Sequence, residues 1–143
     1  MTVKQISVFL ENKRGRLAEV TEILNERGIN IRALALADTA DFGVLRIIVS
    51  DSEACLRALR DRGFIAQATE VIAVEIPDRP GGLNSILRML DAAAINIEYM
   101  YAFVERMRAN AVVIFKIDDP ARAVLALTKE RVPILSEEAL KSL

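Results

Sequence analysis

Two short runs in this chain hold residues whose types and spacing suit the recognition of a zwitterion. In each, a polar loop with a glycine opens an apolar helical pattern that closes on Ile-Asn-Ile. Gly15 leads to Ile29-Asn30-Ile31, and Gly81 leads to Ile95-Asn96-Ile97. A strand-to-helix turn of this kind exposes backbone N–H groups at the positive end of a helix dipole, where a carboxylate or phosphate is favoured. An asparagine amide both donates and accepts, so Asn30 and Asn96 can meet either end of an amino acid. Each feature also has a plain structural reading. Glycine makes a tight turn, and asparagine tolerates the left-handed geometry that follows a helix. Taken singly, neither copy separates these readings.

The runs are one pattern repeated 66 positions apart without a gap: Gly15 matches Gly81, Leu17 matches Leu83, and Leu24 matches Leu90. Such a register marks an internal duplication. Around the first turn, Lys4–Leu10 alternates as a strand. Residues 16–27 place Leu17, Val20, Ile23 and Leu24 on one helical side, and Gly28 stops that helix. Ile31–Ala37 and Val44–Val49 read as strands joined by a turn over Asp38–Gly43. Ser52 is expected to cap a second helix ending near Gly63, and Phe64–Thr69 is a fourth strand. The second copy repeats the order: strand 71–76, helix 82–93, strand 97–104, a charged turn 105–110, strand 111–117, a helix from Asp119-Pro120, strand 132–135 and a short terminal helix. Residues 69–71 run on with no linker, so the domains are expected at 1–69 and 70–143, rigidly paired about a pseudo-twofold. The fold class is α+β: two tandem ferredoxin-like βαββαβ sandwiches, each an antiparallel sheet with helices on one face.

Asp78-Arg79-Pro80-Gly81-Gly82-Leu83 followed by Ile95-Asn96-Ile97 on this pattern resembles an ACT domain, and the first copy, Asn12 through Leu17 and Gly28 through Ile31, does so too. Together they cover nearly the whole chain, which is similar to stand-alone tandem ACT proteins. The resemblance implies a regulatory module that binds a free amino acid at the interface between paired domains. In the serine-sensing branch, ligand contacts come from an asparagine three residues before the turn glycine and another opening the second strand. Those positions are Asn12 and Asn30, and Asp78 and Asn96. The implied ligand contacts are Asn12, Arg14, Gly15, Leu17, Asn30 and Ile31 in the first copy. In the second they are Asp78, Gly81, Gly82, Leu83, Asn96 and Ile97. Asp78 is an acceptor only and favours an ammonium, while Arg14 replaces Pro80 and adds a charge, so the two sites are expected to differ.

Composition excludes several other functions. The chain has 143 residues, a net charge of −1, one cysteine and no histidine, which removes disulfide frameworks and the common zinc sites within one chain. Residues 1–69 carry 10 basic and 9 acidic side chains, residues 70–143 carry 9 and 11, and such an even spread supports neither nucleic-acid nor membrane binding. The strand 44–49 has no aromatic for base stacking. With no activated-cysteine context and no phosphate-loop signature, no enzyme, cofactor or metal is expected. No secretory pattern or spanning segment is present, so the expected setting is cytoplasmic.

Tyr99, Tyr101 and Phe103 are read as sharing a strand face with Ile97, either lining a ligand or filling a core. Arg106 and Arg108 are read as a solvated turn. Both sheet faces are apolar: Phe9, Leu34, Leu36 and Ile48 are placed opposite Ile6, Val8, Ile31 and Ile47, with Met100, Val104, Val113 and Phe115 repeating the pattern. This predicts a homodimer packed through sheet faces. The partner side is then an amino acid, a second copy, and a metabolic enzyme or regulator. A protein–protein adaptor with vestigial ligand sites is the alternative.

Overall fold

The computed structural model describes residues 1–38, 41–104 and 109–143. Thr39 and Ala40 of the first expected turn, and 105–108 of the second with Arg106 and Arg108, lie outside the described residues. The order is β1 (Val3–Glu11), α1 (Arg16–Glu26), β2 (Ile31–Asp38), β3 (Phe42–Val49), α2 (Ser52–Asp61), β4 (Ile65–Pro77), α3 (Gly82–Ala92), β5 (Ile97–Val104), β6 (Asn110–Ile117), α4 (Pro120–Lys129), β7 (Ile134–Leu135) and α5 (Glu137–Lys141). The chain forms two compact units. The first is Lys4–Thr69, and the second is Glu70–Leu143 together with Met1–Val3. The strands expected at 64–69 and 71–76 are one 13-residue strand, β4, that passes from one unit into the next.

In the first unit the strand order is β2-β3-β1-β4. Ile6 and Val8 of β1 lie opposite Ile47 and Leu45 of β3. These four side chains join Val20, Ile23 and Leu24 of α1 and Cys55, Ala58 and Leu59 of α2 in one buried core. The second unit repeats the arrangement as β7-β4-β6-β5. There Val74, Val113 and Phe115 pack with Ile86 and Leu90 of α3 and Ala123 and Leu127 of α4. Each is a ferredoxin-like βαββαβ sandwich with its helices on one sheet face.

Small features depart from the sequence reading, each for a local reason. The cap of α2 is Asp51, whose carboxylate accepts from the Ala54 N–H, and Ser52 is the buried first helical residue. Bulges lie between Ile31 and Ala33 and between Ile97 and Tyr99. A bulge adds one residue to a strand, which turns all later side chains over. Leu34 and Leu36 therefore lie opposite Ile47 and Leu45, on the helix side and not with Ile48. Likewise Ile97 packs with the helix-side core, while Tyr99, Tyr101 and Phe103 lie opposite Lys116, Ile114 and Val112 on the other face. Ile48, Val112, Val113, Ile114 and Phe115 are buried, and exposed Leu34, Leu36, Met100 and Val104 concentrate on the terminal strands β2 and β5.

The helix ends show the duplication in the backbone itself. After α1, the Ile29 N–H reaches the Leu24 carbonyl at 2.9 Å, and after α3 the Ile95 N–H reaches Leu90 at 3.0 Å. Both turns need a left-handed residue. It is Gly28 at φ 66° in the first and Ala94 at φ 56° in the second. An L-residue in that region costs about 1 kcal/mol or more. Ala94→Gly is expected to raise stability by about 1 kcal/mol and Gly28→Ala to lower it by a similar amount in urea unfolding.

Candidate functional site

Each first strand enters its helix through the same turn. Gly15 has φ 89° and ψ −11°, and Gly81 has φ 89° and ψ −13°. The bonds that brace both turns alike are main chain. The Lys13 N–H donates to the Glu11 carbonyl at 2.8 Å and the Arg79 N–H to Pro77 at 2.9 Å. Then Arg16 donates to Lys13, and Gly82 to Arg79. Asn12 and Asp78 hold equivalent places, their N–H groups donating to the Asp41 and Ala109 carbonyls at 2.9 and 3.0 Å. No side chain caps either helix, so the first-turn N–H groups that follow Arg16 and Gly82 are left to solvent or a ligand. At Gly82 a Cβ would run into the Pro77 carbonyl oxygen, so the second turn is tighter there than the first, which carries Arg16.

The two sites differ in what surrounds the turn. In the first unit a small cleft of about 110 Å³ gathers Asn12 and Leu17 with Glu11, Lys13, Arg16 and Leu36. Leu17, read from sequence as facing the core side of its helix, is exposed at the rim of this cleft. Lys13 and Arg16 both bind Glu11, at 2.8 and 2.9 Å, and Arg16 also binds Glu19 at 3.1 Å. The Lys13 hydrogen bond, then that of Arg16, holds the Glu11 carboxyl below its ordinary range. Glu19 foremost, then Glu11, raises Arg16. The reading of single residues missed this network, although Glu11, Lys13, Arg16 and Glu19 all fall within nine positions of one another around the turn. Arg14 is exposed beside it.

In the second unit a larger cleft of about 400 Å³ lies against Gly81 and Gly82, with Arg79, Ser85, Met89 and Arg131. Asp78, Leu83, Asn96 and Ile97 do not line it.

Asn30 and Ile31 do not join the Asn12 cleft. The Asn30 main chain is fixed by Ser50, its N–H donating to Oγ at 3.0 Å and its carbonyl accepting from the Ser50 N–H at 2.9 Å. The Asn96 carbonyl accepts from the Asp118 N–H at 3.4 Å, and both asparagine side chains are exposed. Since β1 and β2 are each antiparallel to β3, they are parallel to one another. Asn12 follows the end of β1 while Asn30 precedes the start of β2. The 11-residue α1, about 16 Å long, separates them. One free amino acid cannot touch Asn12 and Asn30 of the same unit.

The family model for an ACT domain pair matches residues 1–143. The chain belongs to the ACT domain pair family. It is similar to protein BT0572 from Bacteroides thetaiotaomicron, at 40% identity and a TM-score of 0.95, covering 100% of this chain and 98% of that one. The fold also matches the regulatory subunit of aspartate kinase from Thermus thermophilus, at 19% identity, TM-score 0.64, covering 88% and 91%. The corresponding Thermus flavus subunit matches at 17% identity, TM-score 0.61, covering 88% and 90%. No curated protein matches the chain. The ACT pair is a regulatory ligand-binding module, and no helix among the described residues is long and apolar enough to cross a membrane.

The single thiol sits in the ACT core, not at either turn. Burial, with Asp51 adding to it, pushes Cys55 up from 9.0 to about 12, so the unreactive thiol form persists at neutral pH. Folded Cys55 holds its proton more tightly than unfolded Cys55. Its contribution to stability is full below the ordinary thiol range and is lost as pH rises toward about 12. Native protein is expected to resist an aromatic disulfide reagent near neutral pH and to react fully in denaturant, and Cys55→Ala should show a shallower alkaline fall in stability.

Proposed function

We propose that this ACT pair is a cytoplasmic sensor of a small or apolar free amino acid that passes its state to a metabolic enzyme or regulator. The observation that carries the reading is the repeated turn: a left-handed glycine, main-chain bracing and an uncapped helix start, built twice beside an exposed Asn12 or Asp78. The ligand carboxylate lies on first-turn N–H groups, and its ammonium faces Asp78 or the Asn12 side-chain oxygen. In the first unit Leu17 bounds its side chain. Because Asn12 and Asn30 lie at opposite ends of α1, one ligand meets only one of them within a unit. A hydrogen bond to a charged group contributes about 1.5–3 kcal/mol, so Asn12→Ala, Asn30→Ala and Asn96→Ala are each expected to weaken binding about tenfold or more in calorimetry. The amino acid is first selected by thermal-shift screening. If no amino acid binds wild type, the adaptor reading replaces this one.

The same reading includes a homodimer. The strands β2 and β5 stand at the ends of the strand order among the described residues and expose Leu34, Leu36, Met100 and Val104. An uncovered apolar edge is an invitation to pairing. Light scattering at micromolar concentration should give dimer mass for wild type and monomer mass for Leu34→Glu/Leu36→Glu. Monomer mass for wild type would remove the dimer.

A further inference from the structure

A groove of about 680 Å³ runs between α3 and α4. Met89, Ala92, Ala93 and Ala126 line it, and Leu125 stands beside them with 71% of its surface in water. Three cations, Arg88, Arg122 and Lys129, surround it against one acid, Glu130. Arg122 is tied to the Ala93 carbonyl, which joins α4 to the end of α3. Arg88 and Lys129 make no ion pair among the described residues.

The first unit supplies an internal control. Its α2 starts at Asp51 as α4 starts at Asp119, which sets Leu125 where the first unit has Arg57, and Lys129 where it has Asp61. By the register of the glycine turns, Arg88 stands in place of Glu22 and Ala92 in place of Glu26. In the first unit Arg62 and Glu26 close the helix pair with an ion pair at 3.3 Å, and the charges there are of both signs. The fold therefore requires neither the exposed leucine nor a rim of three cations to one acid. Met89, Ala92, Ala93, Ala126 and the exposed Leu125 form one apolar surface with a charged rim, and such a surface marks an interaction site.

We propose that this groove docks an acidic amphipathic helix of a partner protein, its apolar stripe on Leu125 and Met89 and its carboxylates on Arg88, Arg122 and Lys129. A groove between two helices receives the apolar face of a third, and α3 is long enough to guide about three turns. The cations select an acidic partner. A second copy brought to the same groove by a twofold axis would set cations against cations, and a concave groove suits a helix better than a flat lipid surface. The proposal does not rest on the amino-acid site.

The test uses the full chain and a fluorescein-labelled stapled peptide of about three helical turns, with Leu on one face and Glu flanking it. A second peptide has Lys in place of Glu. Fluorescence anisotropy is expected to show binding of the Glu peptide only. Leu125→Arg/Lys129→Asp, which carries the first unit's residues at these exposed places, and Arg88→Glu are each expected to weaken it about tenfold or more. Hydrogen exchange should slow over α3 and α4 on binding. The proposal is overturned if the Glu peptide does not bind wild type, if the two peptides bind alike, or if the variants, folded by circular dichroism, bind like wild type. Displacement of the bound peptide by phosphatidylserine vesicles would also overturn it, making the face a membrane surface. Calorimetry with free amino acids on the same variants reads the other site, so the two proposals fail separately.

Discussion

The left-handed glycine between first strand and first helix is the constraint on which each ACT unit depends. The chain must leave the end of a strand, reverse, and lay a helix across the same sheet after four residues. At φ 89° that reversal is open to glycine and costly for other residues. Once it is made, Val20, Ile23 and Leu24, or Ile86 and Leu90, land on the sheet core. The bracing bonds common to both turns are main chain, so the side chains around the turn can vary. Arg14 and Pro80 occupy one position, Arg16 and Gly82 another, beside glycines of the same geometry.

That freedom explains how two copies of one fold came to carry different surfaces. Around the first turn, Lys13 and Arg16 are engaged by Glu11 and Glu19. Around the second, the glycine pair leaves a wider cleft. On the helix layer the first unit closes its pair with Arg62 and Glu26, where the second leaves small residues and Leu125. Even the strained positions have drifted: Gly63 and Gly28 correspond to Arg131 and Ala94, all at positive φ. Core packing keeps these turns in place after the residue best suited to them is gone.

Much of this was legible in the chain. The 66-residue register, the helical spacing of Leu24 and Leu90, and the stop at Gly28 depend on local geometry, which sequence periodicity reports directly. Strand faces were less legible. Tyr99 and Leu34 were each assigned to the wrong face because one bulged residue near the strand start reverses everything after it, and no residue type marks that bulge. The site was legible as a list of groups more than as a place. Asn12 and Leu17 meet in one cleft, yet Asn30 stands a helix length away.

The sequence by itself therefore determined the duplication, the βαββαβ order and the turns that carry the polar groups, because each is set by residues within a few positions of one another. Tertiary structure alone decided which strand faces meet the helices, that β4 is one strand serving both units, and which groups line each cleft. Those outcomes depend on register between strands and on packing between residues far apart in the chain, and a shift of one position along a strand changes them all.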